Sequence, residues 1–268
     1  MTDTVTISRD GAALIVAINR PEARNAVNPE TATALHAAFL EFDADETLSV
    51  AILTGEGGAF CAGYDLKHAA GGVDDDWFDA HAIRSPTDLD GKTPGPMGPT
   101  RLSLSKPVIA AVEGPAVAGG MELAIWCDLR VMAEDAFFGI YCRRWGVPLI
   151  DGGAIRLPRL IGQSRALDLL LTGRRVDAEE ALSIGLANRT TPSGGALEGA
   201  LALADQLARF PQGCMRADRR VALEQWSLSD GEAFVREWRS AALFQAEGLR
   251  GAGRFAAGKG RSGDFDAI

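Results

Sequence analysis

Apolar and polar residues alternate at the start of the chain: Val5 and Ile7 form one run, Leu14, Val16 and Ile18 a second, and the polar turn "RDGA" lies between them. Period-two alternation on either side of a turn predicts a β-hairpin. Asn28 followed by Pro29 has the form of a helix N-cap and first-turn pair, and Leu35, Ala38, Phe39 and Phe42 then recur at helical spacing, which predicts an amphipathic helix. "VAILT" at 50–54 and "PVIAAVE" at 107–113 are short branched apolar runs, each followed by a glycine-containing turn. They suit strands buried on both faces. Residues 68–100 instead mix Gly, Pro and Asp ("AAGGVDDDW", "DGKTPGPMGPT") with little periodicity, and predict a loop region. From Gly162 the spacing turns helical, through "SRALDLLLTG", "DAEEALSIG", an Ala- and Leu-rich segment at 196–209 and amphipathic stretches to about residue 247. The order predicts an α/β half followed by an α-rich half, with no obvious linker.

Composition narrows the picture. At 268 residues, 47% hydrophobic and 24% charged, the chain is ordinarily globular and long enough for one large domain with an appendage. It holds no apolar run of eighteen residues, and "MTDTVTISRDG" lacks the basic-then-apolar order of a secretory signal; the expectation is a cytoplasmic protein with no membrane partner. A net charge of -9 argues against a nucleic-acid groove. Cys61, Cys127, Cys142 and Cys214 form no CxxC pair, and His36, His68 and His81 show no ligand spacing, so no metal site is expected. Arg250, Arg254, Lys259 and Arg261 crowd the C-terminus, as a solvated tail or as a site for phosphate groups of a small ligand. "GKGRSG" at 258–263 has the form G-x-G-x-x-G but follows no strand and opens no helix, which removes the dinucleotide-binding reading.

Two glycine turns carry the candidate chemistry. In "GPAVAGGMELA" (114–124) a helix is predicted to start near Gly119, and Glu122 lies three residues on, so an unsatisfied N–H at the helix start and a carboxylate one turn later can face one cavity. Helix N-termini suit an oxygen that becomes negative during reaction. The plainer alternative is that Glu122 only complements the helix dipole. In "AFCAGYDL" (59–66) small residues around Gly63 let a ligand approach the main chain, so that the N–H of Tyr64 can be a second donor, opposite that of Gly119.

"VAINRPEARNAVN" (16–28), "AFCAGYDL", "KPVIAAVEGPAVAGGMELAIWCD" (106–128) and "FGIYCRRWGVPLIDGGAIRLPRLIG" (138–162) resemble, in order and spacing, the crotonase family, also called the enoyl-CoA hydratase/isomerase family. The resemblance covers nearly the whole chain. It implies a spiral of ββα units closed by C-terminal helices, with a core over 1–195 and a helical trimerisation region over 196–268, assembled as a homotrimer or homohexamer. It also implies an acyl-CoA thioester as substrate, no cofactor beyond the coenzyme A of that substrate, and the thioester oxygen held by the N–H groups of Tyr64 and Gly119. Glu122 matches the first of two catalytic glutamates of the family's hydratases; Ala62, Asp65 and Leu66 fall along the substrate site; Arg24, Phe255 and Lys259, with Arg261, fall where the coenzyme is met.

The second hydratase glutamate is replaced here by Cys142. A thiol cannot do a carboxylate's work of orienting water and giving up a proton, which weakens simple isomerase chemistry as well. Hydratase-type lyase chemistry with an atypical acid/base set is the expectation; isomerase, thioester hydrolase or dehalogenase chemistry, or acyl-CoA binding without turnover, are the alternatives. Asp151 in "PLIDGGA" is the nearest spare acid, either as a second proton carrier or as the cap of a following helix. Cys142 is either a nucleophile whose thiolate Arg143 and Arg144 favour or a residue of the pocket wall. Trp77, Phe78, His81 and Met97 lie in the segment expected to shape the acyl site; His68 and His81 either assist catalysis or lie on the surface.

Overall fold

The computed structural model describes residues 3–72 and 75–260. The predicted hairpin is formed by β1 (Val5–Asp10) and β2 (Ala13–Ile18), antiparallel, with Val5 opposite Ile18. Helix α1 (Pro29–Ala44) is capped by Asn28, whose Oδ1 accepts the Thr31 N–H at 3.0 Å, and it buries Leu35, Ala38, Phe39 and Phe42, the face its spacing marked out. Strand β3 (Val50–Gly55) then pairs parallel with β2. A strand, crossover helix and parallel strand are what two apolar runs separated by an amphipathic helix produce.

Between β3 and the next central strand the structure corrects the loop expectation. Two short helices, α2 (Leu66–Ala70) and α3 (Asp75–His81), occupy part of 68–100. Helix α2 is started by Asp65, whose carboxylate accepts the N–H groups of Lys67 and His68 at 3.0 and 3.2 Å. Its five residues are too few to show a period. Strands β4 (Val108–Val112) and β5 (Pro115–Val117) follow, then α4 (Gly119–Trp126), β6 (Leu129–Ala133) and β7 (Phe137–Gly139). Every residue of β4 is buried, as a strand covered on both faces requires. The buried Arg130 donates to the Cys127 carbonyl at 2.8 Å and the Leu186 carbonyl at 2.7 Å, and so anchors the C-terminal end of α4, where a cation also complements the helix dipole.

Helix α5 (Gly153–Ile161) precedes Gly162, and α6 (Gln163–Thr172), α7 (Ala178–Ser183) and α8 (Ala196–Arg209) confirm the helical reading after it. Two three-residue strands, β8 (Arg175–Asp177) and β9 (Arg189–Thr191), interrupt it. Among the described residues one sheet has six strands in the order β1-β2-β3-β4-β6-β9, and a second has three in the order β5-β7-β8. Successive strand–strand–helix units feed the two sheets in turn, which is the expected ββα spiral. One compact unit ends at Asp205 and a second begins at Gln206, within α8. The second is helical: α9 (Gln212–Glu224), α10 (Asp230–Trp238), begun by a Ser229–Glu232 capping box, and α11 (Leu249–Ala256).

Candidate active site

The two glycine turns pack backbone against backbone. Gly63 has φ +96, and a Cβ on it would lie 3.0 Å from the Ala118 Cβ, the Gly119 N and the Val117 O. A Cβ on Gly120 would lie 2.1 Å from the Cys61 carbonyl oxygen. Only glycine allows this approach. The Cys61 carbonyl accepts the Val117 N–H at 3.0 Å, and the Cys61 sulfur accepts the Gly63 N–H at 3.3 Å. Ala118, between β5 and α4, has φ 53 and ψ -123, a conformation that costs an L-residue on the order of 1–3 kcal/mol. It is held there by donating its N–H to Gly139 O at 2.8 Å.

Gly119 opens α4, so its N–H has no acceptor within the helix. Tyr64 is flanked by two bonds, Val27 N–H to Gly63 O and Asp65 N–H to Val27 O, both 2.8 Å, that bypass its own N–H. Among the described residues no backbone hydrogen bond uses either donor. Tyr64 and Gly119 border one cavity of about 150 Å³, with the aromatic rings of Tyr64, Trp77, Tyr141 and Trp145, the Met97 side chain, and the polar residues Glu122, Cys142 and Asp151 in its wall. A cavity of about that volume holds a benzene ring.

Glu122 is 3% exposed. Its Oε1 accepts the N–H of Asp151 at 2.9 Å and of Gly153 at 2.8 Å, so the carboxyl is bound to the loop before α5 and not spent on its own helix end. A Cβ on Gly153 would lie 2.9 Å from Glu122 Oε1; glycine is what lets that N–H come so close. Burial, and next the Asp151 carboxylate, push the Glu122 pKa up to about 8 against the two N–H donors and Arg156. This acid therefore changes protonation state near neutral pH.

Asp151 does not cap the following helix. The α5 N-cap is Gly152, with φ 93 and no side-chain bond, while Asp151 Oδ1 accepts the Met97 N–H at 3.0 Å and the Thr100 hydroxyl. Burial pushes its pKa up. Arg156 ties the same pieces together, donating to Asp151 O at 2.9 Å and to Thr100 O at 2.6 Å. Cys142 lies in the cavity wall, and burial pushes its thiol up, as does the neighbouring Glu122. Of the two alternatives left open for Cys142 the pocket wall is favoured: Arg143 Nε donates to Leu170 O at 3.1 Å, the Arg144 guanidinium lies 4.2 Å over the Tyr141 ring, and burial outweighs the pull of Arg143 toward the thiolate. A protonated, buried thiol is a wall group and not a nucleophile.

Of the other residues singled out in the sequence, Ala62 and Leu66 line the cavity. Asp65 does not. Although partial burial works against it, Arg20 at 2.9 Å and the N–H groups at the start of α2 hold its carboxyl below the usual range, and it serves as that helix's cap. Arg24 is exposed and has φ 51; its carbonyl accepts the N–H of Ala62 at 3.0 Å, and its guanidinium enters no ion pair among the described residues. Phe255 is exposed on α11, and Lys259 donates its main-chain N–H to Arg254 O at 3.1 Å; Arg261 lies outside the described residues. His68 is exposed, whereas His81 Nδ1 lies 2.8 Å from Trp77 O with its ring against Trp77. The residues that sequence reasoning missed are Thr100 and Arg156, which no local pattern marks because the bonds that join Thr100 to Asp151 and to Arg156 span more than fifty residues.

A buried acid one turn into a helix, next to two unspent main-chain donors in a small apolar cavity, defines an enzyme site for acid/base chemistry on a compact ligand. Comparison with known proteins gives it a lineage. The profile described as enoyl-CoA hydratase/isomerase matches residues 9–234. An enoyl-CoA hydratase of Mycobacterium tuberculosis is 40% identical over 235 residues, 85% of this chain and 83% of that one. A carnitinyl-CoA dehydratase of Salmonella typhi is 36% identical over 240 residues, 88% of this chain and 87% of the relative. Among solved structures, an enoyl-CoA hydratase of Mycobacterium marinum superposes with a TM-score of 0.84 at 37% identity, covering 95% of this chain and 96% of that one. The chain belongs to the enoyl-CoA hydratase/isomerase family, and its fold is the crotonase fold.

Proposed function

We propose that this protein is a hydratase-type lyase that adds water to, or removes it from, the Cα–Cβ bond of an acyl-CoA thioester. The observation that carries this reading is the placement of Glu122 in the same cavity wall as Tyr64 and Gly119, whose N–H groups have no backbone acceptor among the described residues. The thioester oxygen lies between those two donors, which stabilise it as it gains charge in an enolate-like transition state. Glu122 is the acid/base. Its Oε1 is held by two N–H groups, and the carboxylate takes a proton from water, whose oxygen bonds to Cβ, then returns a proton to Cα; dehydration runs the same steps backwards. In both directions the cycle starts from the ionised form. With Glu122 pushed up to about 8, kcat/KM rises with pH through that value and then levels off.

The names of the relatives support the reaction class, and the cavity of about 150 Å³ supports an acyl group of crotonyl to ring size. Arg24, beside the wall residue Ala62 and with no ion pair among the described residues, and Phe255 with Lys259 on the helical unit are assigned to the coenzyme; Asp65 supports the same wall from behind. No cofactor is assigned beyond the coenzyme A of the substrate. A homotrimer or homohexamer suits the exposed Trp226, Phe234, Trp238 and Phe244 of the second unit, large apolar side chains of the kind that interfaces cover. No described helix is long and apolar enough to cross a membrane, and we assign the protein to the cytoplasm.

Cys142 favours a second reading, in which the reaction is another of the family that needs only the enolate and one acid. A panel of enoyl-CoA thioesters from crotonyl upward, followed by loss of the conjugated thioester absorbance, decides between them. Hydration by the native protein, with Cys142→Glu raising the rate severalfold, is the expected result; binding of the whole panel without hydration of any member would reject the hydratase reading.

A further inference from the structure

Asp151 does not cap a helix, and its bonds point to a role other than carrying the proton itself. Its main-chain N–H donates to Glu122 Oε1 at 2.9 Å, while its own Oδ1 accepts the Met97 N–H at 3.0 Å and the Thr100 hydroxyl. Its carbonyl takes Arg156, which also holds Thr100. One residue thus joins the loop that grips the acid to the 95–101 turn. That turn is itself built around the bond: a Cβ on Gly95 would lie 2.1 Å from Thr100 Oγ1 and 2.6 Å from Asp151 Oδ1, and Met97 sulfur would lie 2.6 Å from a Cβ on Gly119. The start of α4, the acid and the clamp form one packed unit.

We propose that Asp151 is a positioning residue that acts through Glu122: its N–H fixes where the acid sits, and its clamped, buried carboxylate keeps a negative charge beside the acid. This rests on Glu122 as the proton carrier. The charge matters because Cys142, in the wall of the same cavity, supplies none. Burial alone favours the protonated form of both acids, and two neighbouring carboxylates do not both ionise easily. Asp151 is the one that keeps its charge: the Thr100 hydroxyl and the Met97 N–H donate to it, and Arg101 and His81 favour its ionised form. Glu122, facing Asp151, the neutral Cys142 and Arg156, is then left with the proton. A single acid whose proton affinity is set in this way can both take and return a proton near neutral pH.

The test reads the Glu122 proton without substrate. In isotope-edited infrared spectra the protonated carboxyl band that Glu122→Gln removes should vanish in the native protein with a midpoint near pH 8, the value to which Glu122 is pushed up. Asp151→Asn keeps the shape of the side chain and its acceptor oxygen but not the charge. The expected result is a midpoint lower by about one unit, a tenfold change in proton affinity, with kcat on the high-pH plateau reduced only severalfold. Thr100→Val should lower the midpoint by less, because it removes a donor that keeps Asp151 ionised, and Thr100→Ser should restore it; this pair carries the test if Asp151→Asn does not fold. An unchanged midpoint in Asp151→Asn or, failing that variant, in Thr100→Val would overturn the proposal. So would a loss of more than about a hundredfold in kcat at every pH with the midpoint in place, which would make Asp151 a proton donor itself. A shifted midpoint in a protein that hydrates no enoyl-CoA would support the proposal and count against the hydratase reading alone.

Discussion

The two sides of the cavity are built on different principles. On one side lie the turns around Gly63 and Gly119, where the functional groups are main-chain N–H donors and the side chains matter mainly by being small. On the other lies the 140–153 loop, where Cys142, Asp151 and the grip on Glu122 depend on which side chain meets which distant partner. Each turn of the first side is specified within a few residues, by its glycines and, in the second, by a strained Ala118 and a helix start, although the two turns meet across more than fifty residues. The second is assembled from segments about 30 to 54 residues apart in sequence. Backbone chemistry of the first kind tolerates side-chain change, whereas the second kind can be retuned by a single substitution.

The largest effect expected from breaking this comparison is on turnover in Glu122→Gln. The amide still accepts the two N–H bonds but cannot exchange a proton, so the rate should fall about 10²–10⁴-fold with acyl-CoA affinity within a few-fold, measured by steady-state kinetics beside calorimetric binding. Equal loss of both would give Glu122 a structural role. On the backbone side, Tyr64→Ala keeps the N–H and Tyr64→Pro removes it. At matched thermal stability the proline variant alone should lose roughly 100-fold or more in rate; a native-like proline variant as fast as the alanine variant would remove Tyr64 as a donor.

Smaller effects concern stability. A carboxyl pushed up to about 8 from 4.5 by burial penalises the folded state as pH rises between those values. Below the lower value both states are protonated and nothing is lost; above the higher the full penalty applies, on the order of a few kcal/mol. Denaturant unfolding should therefore show Glu122→Gln more stable than the native protein at pH 9, with the difference disappearing by pH 4. The smallest effect is expected at Ala118. Replacing it with glycine relieves the strained φ of 53 and should stabilise the fold by about 1 kcal/mol, after the entropy glycine adds to the unfolded chain; a loss of stability would show that the alanine methyl, not the backbone, holds the turn.

The same division explains what could be read from the sequence. The hairpin, α1, the buried strands β3 and β4, and helix α8 over Ala196–Arg209 follow from periodicity and turn residues, and the Gly119 to Glu122 spacing places donor and acid together because a helix carries both. Helix α2 was hidden because five residues show no period and its cap, Asp65, is also the partner of Arg20. The sequence left Asp151 open between proton carrier and helix cap because its partners, Met97 and Thr100, lie in a Gly- and Pro-rich turn with no pattern of its own. For Arg143 and Arg144 the reason is the opposite: adjacency in sequence left a thiolate at Cys142 open, but both guanidinium groups have partners elsewhere.

The central claim, that one carboxyl and two main-chain donors make an enolate without help from the Cys142 wall, is tested most directly by hydrogen exchange at the α-carbon of a saturated thioester. Butyryl-CoA in D₂O has no double bond to hydrate, so exchange followed by NMR reports enolate formation alone. The native protein and Cys142→Ala should both incorporate deuterium at the α-carbon, and Glu122→Gln should lose nearly all of it. Exchange at the native rate in Glu122→Gln, or its disappearance in a folded Cys142→Ala, would contradict the account.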